Sequence, residues 1–260
     1  MKRNIALFDM DGTLTPARKP ISKEMIDALC ALGGYCDIGI VTGSGMNYID
    51  NQLSSLFDIL RVQLFPCNGT QVWWKSWRDG GFKKQYEVKM IDEIGEERFK
   101  KIVKLLLSEH SRLIGRYPEM PLAGNFIDNR GTMINFCPAG RGCDHDQRKK
   151  FVEIDAEKCI RKDSFDVLKM LFSKYNVNVD VALGGNTSID IFPYGWDKTY
   201  VLSHLGDYES ISFVGDRCDE GGNDKALYDA LKLNDSAFKT TGPEETIKII
   251  NEKLIPAFGG

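Results

Sequence analysis

The feature that most restricts how this chain can fold is the alternation of apolar runs and amphipathic segments over its first 70 residues. Strands are predicted at residues 4–9, 36–41 and 62–65, because each run is short, apolar and followed by polar or turn-forming residues. A helix after Ser22, a good N-cap residue, separates the first two strands, and a helix carrying Met46 separates the next two. Strands that alternate with helices are joined by crossover connections, so the sequence predicts a doubly wound, mainly parallel α/β sheet.

The middle of the chain has a different pattern, in which strands follow one another as hairpins. One hairpin is predicted to turn at Arg78-Asp79-Gly80-Gly81 and another at Gly184-Gly185. The other elements expected here are strands at 125–129 and 132–137 and helices at 96–110, 144–157 and 163–175. Antiparallel strands with helices are typical of a separate α+β unit.

The first pattern then resumes near the C-terminus. Its elements are helices at 197–205, 222–231 and 243–254 and a strand at 210–214. We therefore predict an α/β core made of residues 1–83 and 190–260, interrupted by an inserted α+β cap domain at 84–189.

Bulk composition excludes several classes of function. The 34 basic and 37 acidic residues leave a net charge of −3, which gives no indication of nucleic-acid or membrane-surface binding. No apolar stretch approaches the roughly 18 residues of a membrane span, and the basic N-terminus is not followed by a signal peptide's apolar region. The seven cysteines form no CxxC pair, which suits a reduced compartment. We expect a cytoplasmic protein without nucleic-acid or membrane partners.

The first predicted strand ends in Phe8-Asp9-Met10-Asp11-Gly12, which puts two carboxylates one residue apart. Two bare carboxylates about 4 Å apart in a partly desolvated site repel each other by about 4 kcal/mol. A cation, a shared proton or divergence of the backbone must relieve that repulsion. An ordinary polar turn is the simpler interpretation, since Asp and Gly are common turn residues.

Further polar groups follow the other core strands. Thr42-Gly43-Ser44 comes after the second strand, and Gly215-Asp216 ends a later one, with Asn223-Asp224 close behind. Lys198 lies just inside the helix that re-enters the core. Ligands of open parallel sheets bind beyond the carboxyl ends of the strands, where these groups would meet. Each group alone is weak evidence for a ligand site, but together and in this order they are a far more specific signal. The sequence has no P-loop motif, so a nucleotide site of that kind is not indicated.

This set of motifs resembles that of the haloacid dehalogenase superfamily of phosphoryl-transfer enzymes. The resemblance implies that Asp9 is a nucleophile that forms an aspartyl phosphate and that Asp11 is the acid/base catalyst. Ser44 and Lys198 would hold the phosphoryl oxygens. The resemblance also implies Mg²⁺, with Asp9, the backbone carbonyl of Asp11 and Asp216 as its ligands.

The inserted domain carries a possible second anion site. "DNRGTMINFCPAGRGCDHDQR" contains Arg130, Arg141 and Arg148, and Ser188 and Asp190 share one face of a predicted strand. Guanidinium groups bind phosphate in a bidentate manner, so three arginines could form such a site. Three separate surface arginines are the alternative, and the residues alone leave both open.

These stretches, together with "DGTLTPARKPIS", are similar to the eukaryotic-type phosphomannomutases over nearly the whole chain. The similarity implies interconversion of mannose 6-phosphate and mannose 1-phosphate through a hexose 1,6-bisphosphate, which would also act as an activator, and a homodimer formed through the cap. It implies six sugar-phosphate contacts: Arg18, Arg130, Arg141, Arg148, Ser188 and Asp190. Among the departures from the family pattern are Cys67, where a glutamate is usual, and Thr42, where a glycine is common.

Several alternatives stay open at this point. Mannose and glucose phosphates present similar spans between their phosphate positions, so the preferred sugar is not decided. A capped sugar-phosphate phosphatase of the same superfamily is the nearest rival. A receiver-type signalling module has no need of an inserted domain, and a catalytically silent binding protein would be expected to have lost Asp9, Asp11, Lys198 or Asp216.

Overall fold

The structure is a computed structural model that describes residues 3–75, 80–234 and 236–259. The chain forms two compact units, one made of Met1–Glu87 and Trp196–Gly260 and the other of Val88–Gly195. The limits predicted for the insertion were 84 and 189. The unit boundaries of the structure lie further along the chain, because the strands at both junctions continue to Glu87 and Pro193.

The first unit is built on a seven-stranded sheet in the order β11-β10-β1-β2-β3-β4-β5. Its strands are β1 Asn4–Phe8, β2 Asp37–Val41, β3 Val62–Phe65, β4 Gln71–Lys75, β5 Phe82–Glu87, β10 Ser210–Gly215 and β11 Ala237–Lys239. The five strands from β11 to β3 in that order are parallel to one another. β4 pairs with β3 in an antiparallel manner, and β5 pairs with β4 in the same way. The predicted doubly wound, mainly parallel sheet is confirmed. The residues Arg78 and Asp79 of the predicted hairpin turn lie outside the described residues.

Helices cover both faces of this sheet. They are α1 Lys23–Leu32, α2 Met46–Phe57, α7 Lys225–Leu231, α8 Pro243–Ile249 and α9 Ile255–Gly259, together with a 3₁₀ helix at Lys198–His204 and a π-helical turn at Ile250–Leu254. Alternate residues of β1 serve opposite faces: Phe8 packs with α1 and α2, whereas Leu7 packs with the 3₁₀ helix and α7. A strand buried on both faces needs apolar residues throughout, which explains the continuous apolar run.

Two helices predicted for the core unit begin at side-chain caps in the structure. Ser22 caps α1, with its Oγ accepting a hydrogen bond from the backbone N–H of Met25, as predicted. The helix expected at 197–205 is present as a 3₁₀ helix at Lys198–His204. Asp197 caps it by accepting hydrogen bonds from the backbone N–H and the hydroxyl of Thr199, which tightens the turn at its start.

The second unit contains a four-stranded antiparallel sheet in the order β6-β7-β9-β8. Its strands are β6 Ile127–Asn129, β7 Ile134–Phe136, β8 Val179–Gly184 and β9 Ser188–Pro193, and its helices are α3 Met90–Ile94, α4 Glu96–Arg116, α5 His145–Lys158 and α6 Ile160–Lys174. The predicted α+β character of this unit is confirmed. Within the described ranges, none of the helices in either unit combines the length and apolar character needed to cross a bilayer.

Candidate active site

The carboxyl ends of β1 and β10 hold two of the predicted acidic residues side by side. Asp9 follows β1 directly, and its backbone N–H donates a hydrogen bond of 3.0 Å to the carbonyl of Val214 in β10. Asp216 follows the end of β10. Because the two strands are parallel neighbours, both side chains emerge at the same edge of the sheet, where ligands of such sheets bind.

Lys198 is the cation of this edge. Its side chain is fully buried, and its Nζ donates to carboxylate oxygens of both Asp9 and Asp224. Asp9 is 4% exposed and Asp224 is fully buried. Charges removed from water in this way are stable only when they are paired and hydrogen-bonded, so each of the three groups depends on the others.

Asp216 is the third carboxylate of this group. Carboxylate oxygens of Asp9, Asp216 and Asp224 lie within 4.8 Å of one another. The Oδ1 atom of Asp216 is buried and has no hydrogen-bond partner among the described residues. Three carboxylates facing one ammonium group leave surplus negative charge, and hard oxygen ligands of this kind suit a divalent cation such as Mg²⁺.

Burial and mutual repulsion shift the pKa values of these groups. Burial raises the pKa of Asp9 well above its usual range, although Lys198 opposes that shift. Burial and then the charge of Asp224 raise the pKa of Asp216 to about 6. Burial alone would lower the pKa of Lys198, but Asp224 and Asp9 outweigh it and raise that pKa. Ionisable groups perturbed in this way are typical of functional sites.

Asp11 has separate partners from Asp9. β1 ends at Phe8, and Gly12 has φ +93° in the turn that follows, so the backbone diverges before Asp11 can lie beside Asp9 as it would in a strand. Asp11 Oδ1 accepts a hydrogen bond of 2.9 Å from the backbone N–H of Arg18, and its Oδ2 accepts one of 3.4 Å from the Ser44 hydroxyl. A Cβ on Gly12 would collide with the Asp216 carboxylate, so this turn also requires glycine for space.

The loop around Ser44 is held by the segment after β3. The backbone N–H of Cys67 donates to the carbonyl of Ser44 at 3.2 Å, and that of Asn68 donates to the carbonyl of Thr42 at 2.9 Å. Cys67 and Asn68 both have positive φ angles, +50° and +64°. The buried Cys67 therefore belongs to the support of the Ser44 loop.

In the second unit, Ser188 and Asp190 are both buried on one face of β9. Asp190 lies directly across from Asn135 of β7, and the Asn135 side-chain amide donates a hydrogen bond of 2.5 Å to Asp190 Oδ1. The other end of the Asn135 side chain, Oδ1, is buried and has no hydrogen-bond partner among the described residues. The hydroxyl of Ser188 donates to the carbonyl of Gly184 at 2.9 Å. Three polar side chains are therefore buried together on this sheet.

The three arginines of this unit lie on separate segments. Arg130, between β6 and β7, donates from Nε to Asp128 at 3.2 Å. Arg141 is anchored by its backbone N–H, which donates to the carbonyl of Asn125 at 3.1 Å. Arg148, in the first turns of α5, donates from Nη1 to the Thr187 hydroxyl at 3.2 Å, which brings its guanidinium beside the start of β9.

The structure brings Asp9, Lys198 and Asp216 together at one edge of the sheet, and it adds a hydrogen bond from Ser44 to Asp11 that the motifs did not predict. Asp224 was not among the predicted metal or catalytic residues, yet it completes the carboxylate cluster and pairs with Lys198. The Gly-Asp…Asn-Asp spacing was the signal that could have identified it. The side chain of Asp11, in contrast, is not part of that cluster.

Comparison with solved structures supports a fold of the α/β class with an inserted second unit. The solved structure of N-terminally truncated, IMP-bound IMP-nucleotidase from Plasmodium falciparum matches 96% of this chain and 68% of that chain with a TM-score of 0.66. The sequence identity is 12%, so the likeness concerns the fold alone. It confirms the predicted α/β core with a cap.

Sequence comparison defines the family more narrowly. The family model of eukaryotic phosphomannomutase matches residues 25–256. Phosphomannomutase 1 of Dictyostelium discoideum is 36% identical over 251 residues, covering 95% of each chain. The phosphomannomutase of Spinacia oleracea is 34% identical over 249 residues, covering 95% of this chain and 94% of that protein. This chain belongs to the eukaryotic phosphomannomutase family, and the prediction of an enzyme of this family is confirmed.

Proposed function

We propose that this chain interconverts mannose 6-phosphate and mannose 1-phosphate, with Asp9 carrying the phosphoryl group between them. The observation that carries the proposal is the buried Asp9 carboxylate, which is paired with Lys198 beside an Asp216 oxygen that has no hydrogen-bond partner in the described part of the chain. Relatives named phosphomannomutase that match nearly the whole chain support the substrate class.

The first chemical step transfers one phosphate of a hexose 1,6-bisphosphate, the activator, to Asp9 and leaves a hexose monophosphate. Oδ1 of Asp9 accepts from Lys198, so we assign attack on phosphorus to Oδ2. As that bond forms, the bond from phosphorus to the sugar oxygen breaks, and Asp11 gives its proton to the leaving oxygen. Hydrogen bonds from Arg18 and Ser44 hold the Asp11 carboxyl group in one orientation for this transfer.

The second step transfers the phosphate on Asp9 to the free hydroxyl of a hexose monophosphate. Asp11 takes the proton of the attacking hydroxyl, and the phosphate moves from Asp9 to that oxygen, which forms a hexose 1,6-bisphosphate. The bisphosphate rebinds in the opposite sense and gives its other phosphate to Asp9. Trace bisphosphate would therefore activate the enzyme, and glucose phosphates could follow the same cycle.

Mg²⁺ is the proposed cofactor. Asp9, Asp216 and the main-chain carbonyl oxygen of Asp11 would hold it, and when bound it supplies positive charge that offsets the acidic cluster and the phosphate. Asp224, neutralised by Lys198, is assigned to positioning that lysine. Ser44 and Lys198 contribute the hydroxyl and ammonium donors for the phosphoryl oxygens.

The second unit is proposed to bind the parts of the substrate that do not react. Arg130, Arg141 and Arg148 would bind the phosphate that is not being transferred, since guanidinium groups suit that anion. Ser188 and Asp190 would contact sugar hydroxyls, and Asn135 already holds the Asp190 carboxylate in place.

Assembly and location complete the proposal. The family resemblance suggests a homodimer formed through the inserted unit, and a light-scattering mass equal to one chain would refute it. All seven cysteines are free thiols, and this pattern supports the proposed cytoplasmic location.

The deciding experiment supplies mannose 1-phosphate together with Mg²⁺ and hexose 1,6-bisphosphate and follows mannose 6-phosphate and free phosphate in parallel. We expect isomerisation that greatly exceeds phosphate release. Free phosphate appearing as fast as or faster than the isomer would favour the capped phosphatase. No isomer at all would refute the assignment of the second unit, and the same assay with glucose 1-phosphate measures the sugar preference.

A further inference from the structure

The turn that follows the nucleophile motif has an unusual conformation. The backbone N–H of Lys19 donates to the carbonyl of Pro16 at 2.9 Å, which closes a four-residue turn. Arg18 is its third residue and has φ +65°, in the left-handed region. Glycine or asparagine normally occupies such a position, because a side chain is disfavoured there. A strained residue of this kind persists only where its surroundings hold it, and it often marks a functional site.

Two contacts use this conformation. The backbone N–H of Arg18 points to Asp11 Oδ1, at 2.9 Å. Its guanidinium carbon lies over the ring of Tyr48, 3.9 Å from the ring centroid. That distance is well within the roughly 6 Å over which an aromatic face attracts a cation.

Tyr48 connects this turn to the rest of the proposed site. It lies in the first turn of α2, four residues after Ser44, and its backbone N–H donates to the carbonyl of Gly45 at 3.0 Å. Ser44 in turn donates to the second oxygen of Asp11. The start of α2 and the Arg18 turn therefore hold Asp11 from two sides, and the Tyr48 ring joins them through the Arg18 side chain.

We propose that Tyr48 is a positioning residue that acts through Arg18. Its ring holds the guanidinium in one orientation before the sugar phosphate binds, and it stabilises the left-handed turn whose N–H is bound to Asp11. The inference rests on the proposed function, in which Arg18 contacts the sugar phosphate and Asp11 transfers the proton. A long side chain ordered before binding loses less entropy on binding, so the benefit falls on substrate capture.

The test compares Tyr48→Leu with Tyr48→Phe in the mutase assay. Losing a partly exposed cation–aromatic contact should raise KM about two- to fivefold in Tyr48→Leu, while Tyr48→Phe keeps the ring and stays within about twofold of wild type. Tyr175→Leu is the matched control, because it removes a half-exposed ring that lies 4.3 Å from Lys101 Nζ on the second unit. Equal KM values for the leucine and phenylalanine variants would overturn the proposal.

A double-mutant cycle separates positioning from a general effect on folding. In an Arg18→Ala background, Tyr48→Leu should change KM by less than about 1.5-fold, because the residue through which it acts is gone. The same two- to fivefold rise in both backgrounds would overturn the proposal, since a structural defect does not depend on Arg18.

A measurement without substrate keeps the inference distinct from the proposed function. In NMR spectra, the Arg18 side-chain protons should be shifted upfield by the Tyr48 ring, with the shift kept in Tyr48→Phe and lost in Tyr48→Leu. If the wild-type protein isomerises no hexose phosphate but shows these shifts, the proposed function fails while the stacking stands. If the protein is an active mutase whose Arg18 signals do not respond to Tyr48→Leu, the inference fails alone.

Discussion

Asp216 should destabilise the metal-free protein at neutral pH, and Asp216→Asn should reveal this. The pKa of Asp216 is raised from 3.8 to about 6, with burial as the main cause and the charge of Asp224 as the next. A carboxyl group whose pKa is raised on folding contributes stability below its unfolded pKa and loses it as pH rises through the folded value. The loss therefore falls between about pH 4 and pH 7.

The size of the effect follows from the shift. One pKa unit corresponds to about 1.4 kcal/mol, so the metal-free wild type should lose about 2–3 kcal/mol of unfolding free energy over that range. The side-chain amide introduced by Asp216→Asn carries no charge and cannot take part in this loss. At pH 7.5 the variant should therefore be more stable than wild type by that amount, a rise in Tm of roughly 4–12 °C, and at pH 4.5 the two should be nearly equal.

The assay is thermal unfolding at pH 4.5, 6 and 7.5 with divalent ions removed. Asp219→Asn is the matched control, because this neighbouring carboxylate is 83% exposed and its surface pair with Lys239 should be worth less than about 1 kcal/mol. Adding Mg²⁺ at pH 7.5 should stabilise wild type more than Asp216→Asn. A variant less stable than wild type at pH 7.5, or a difference that does not change with pH, would refute the reasoning.

Four further outcomes can be checked by single measurements. Asp9→Asn should abolish turnover while leaving the circular dichroism spectrum unchanged; residual isomerisation would exclude Asp9 as the nucleophile. Arg148→Ala should raise KM about tenfold or more with a smaller change in kcat, and an unchanged KM would count against the anion site. Asn135→Asp puts a second carboxylate against Asp190, so kcat/KM should fall from pH 6 to pH 8 in this variant but not in Asn135→Ala; parallel pH profiles would contradict this. Lys198→Met should lower the unfolding free energy at pH 7.5 by about 3–5 kcal/mol in urea titrations, and by less at pH 5, where protonation relieves the repulsion; an equal loss at both pH values would argue against the buried ion pairs.

Much of the core could be predicted from local pattern. The apolar runs that form β1, β2 and β3 are buried on both faces of the sheet. Such strands have continuous rather than alternating apolar residues, and this pattern predicted a parallel sheet. The Ser22 cap fixed the start of α1 within a residue. In these segments the local preference and the tertiary environment agree.

Other elements depend on contacts that no local pattern contains. β11, Ala237–Lys239, has only three residues and exists because it pairs with the edge of β10. The segment at 222–231 was expected to be helical throughout, but α7 begins at Lys225, because the residues before it form the turn in which Gly222 N–H donates to Asp219.

The same distinction applies to the candidate site. Its residue types were visible in the motifs, and Ser188 and Asp190 could be assigned to one face from the two-residue period of a strand. The pairing of Lys198 with Asp224 and the stacking of Arg18 on Tyr48 were not predicted, because they join segments that are distant or offset in the chain. Of the three ways in which repulsion between Asp9 and Asp11 could be relieved, the structure has divergence of the backbone, since β1 ends before either residue.

The pairing of Asp9 with Lys198 has a consequence for biosynthesis, because the two residues are 189 positions apart. One edge of β1 pairs with β10, which is synthesised about 200 residues later. At about 5–20 residues per second, a ribosome that has just made Asp9 needs roughly 10–40 s more to reach its ammonium partner. Throughout that interval one edge of β1 has no partner strand and Asp9 has no ammonium partner. An unpaired strand edge of this kind is prone to association with other chains, so chaperones that shield it during synthesis should aid folding.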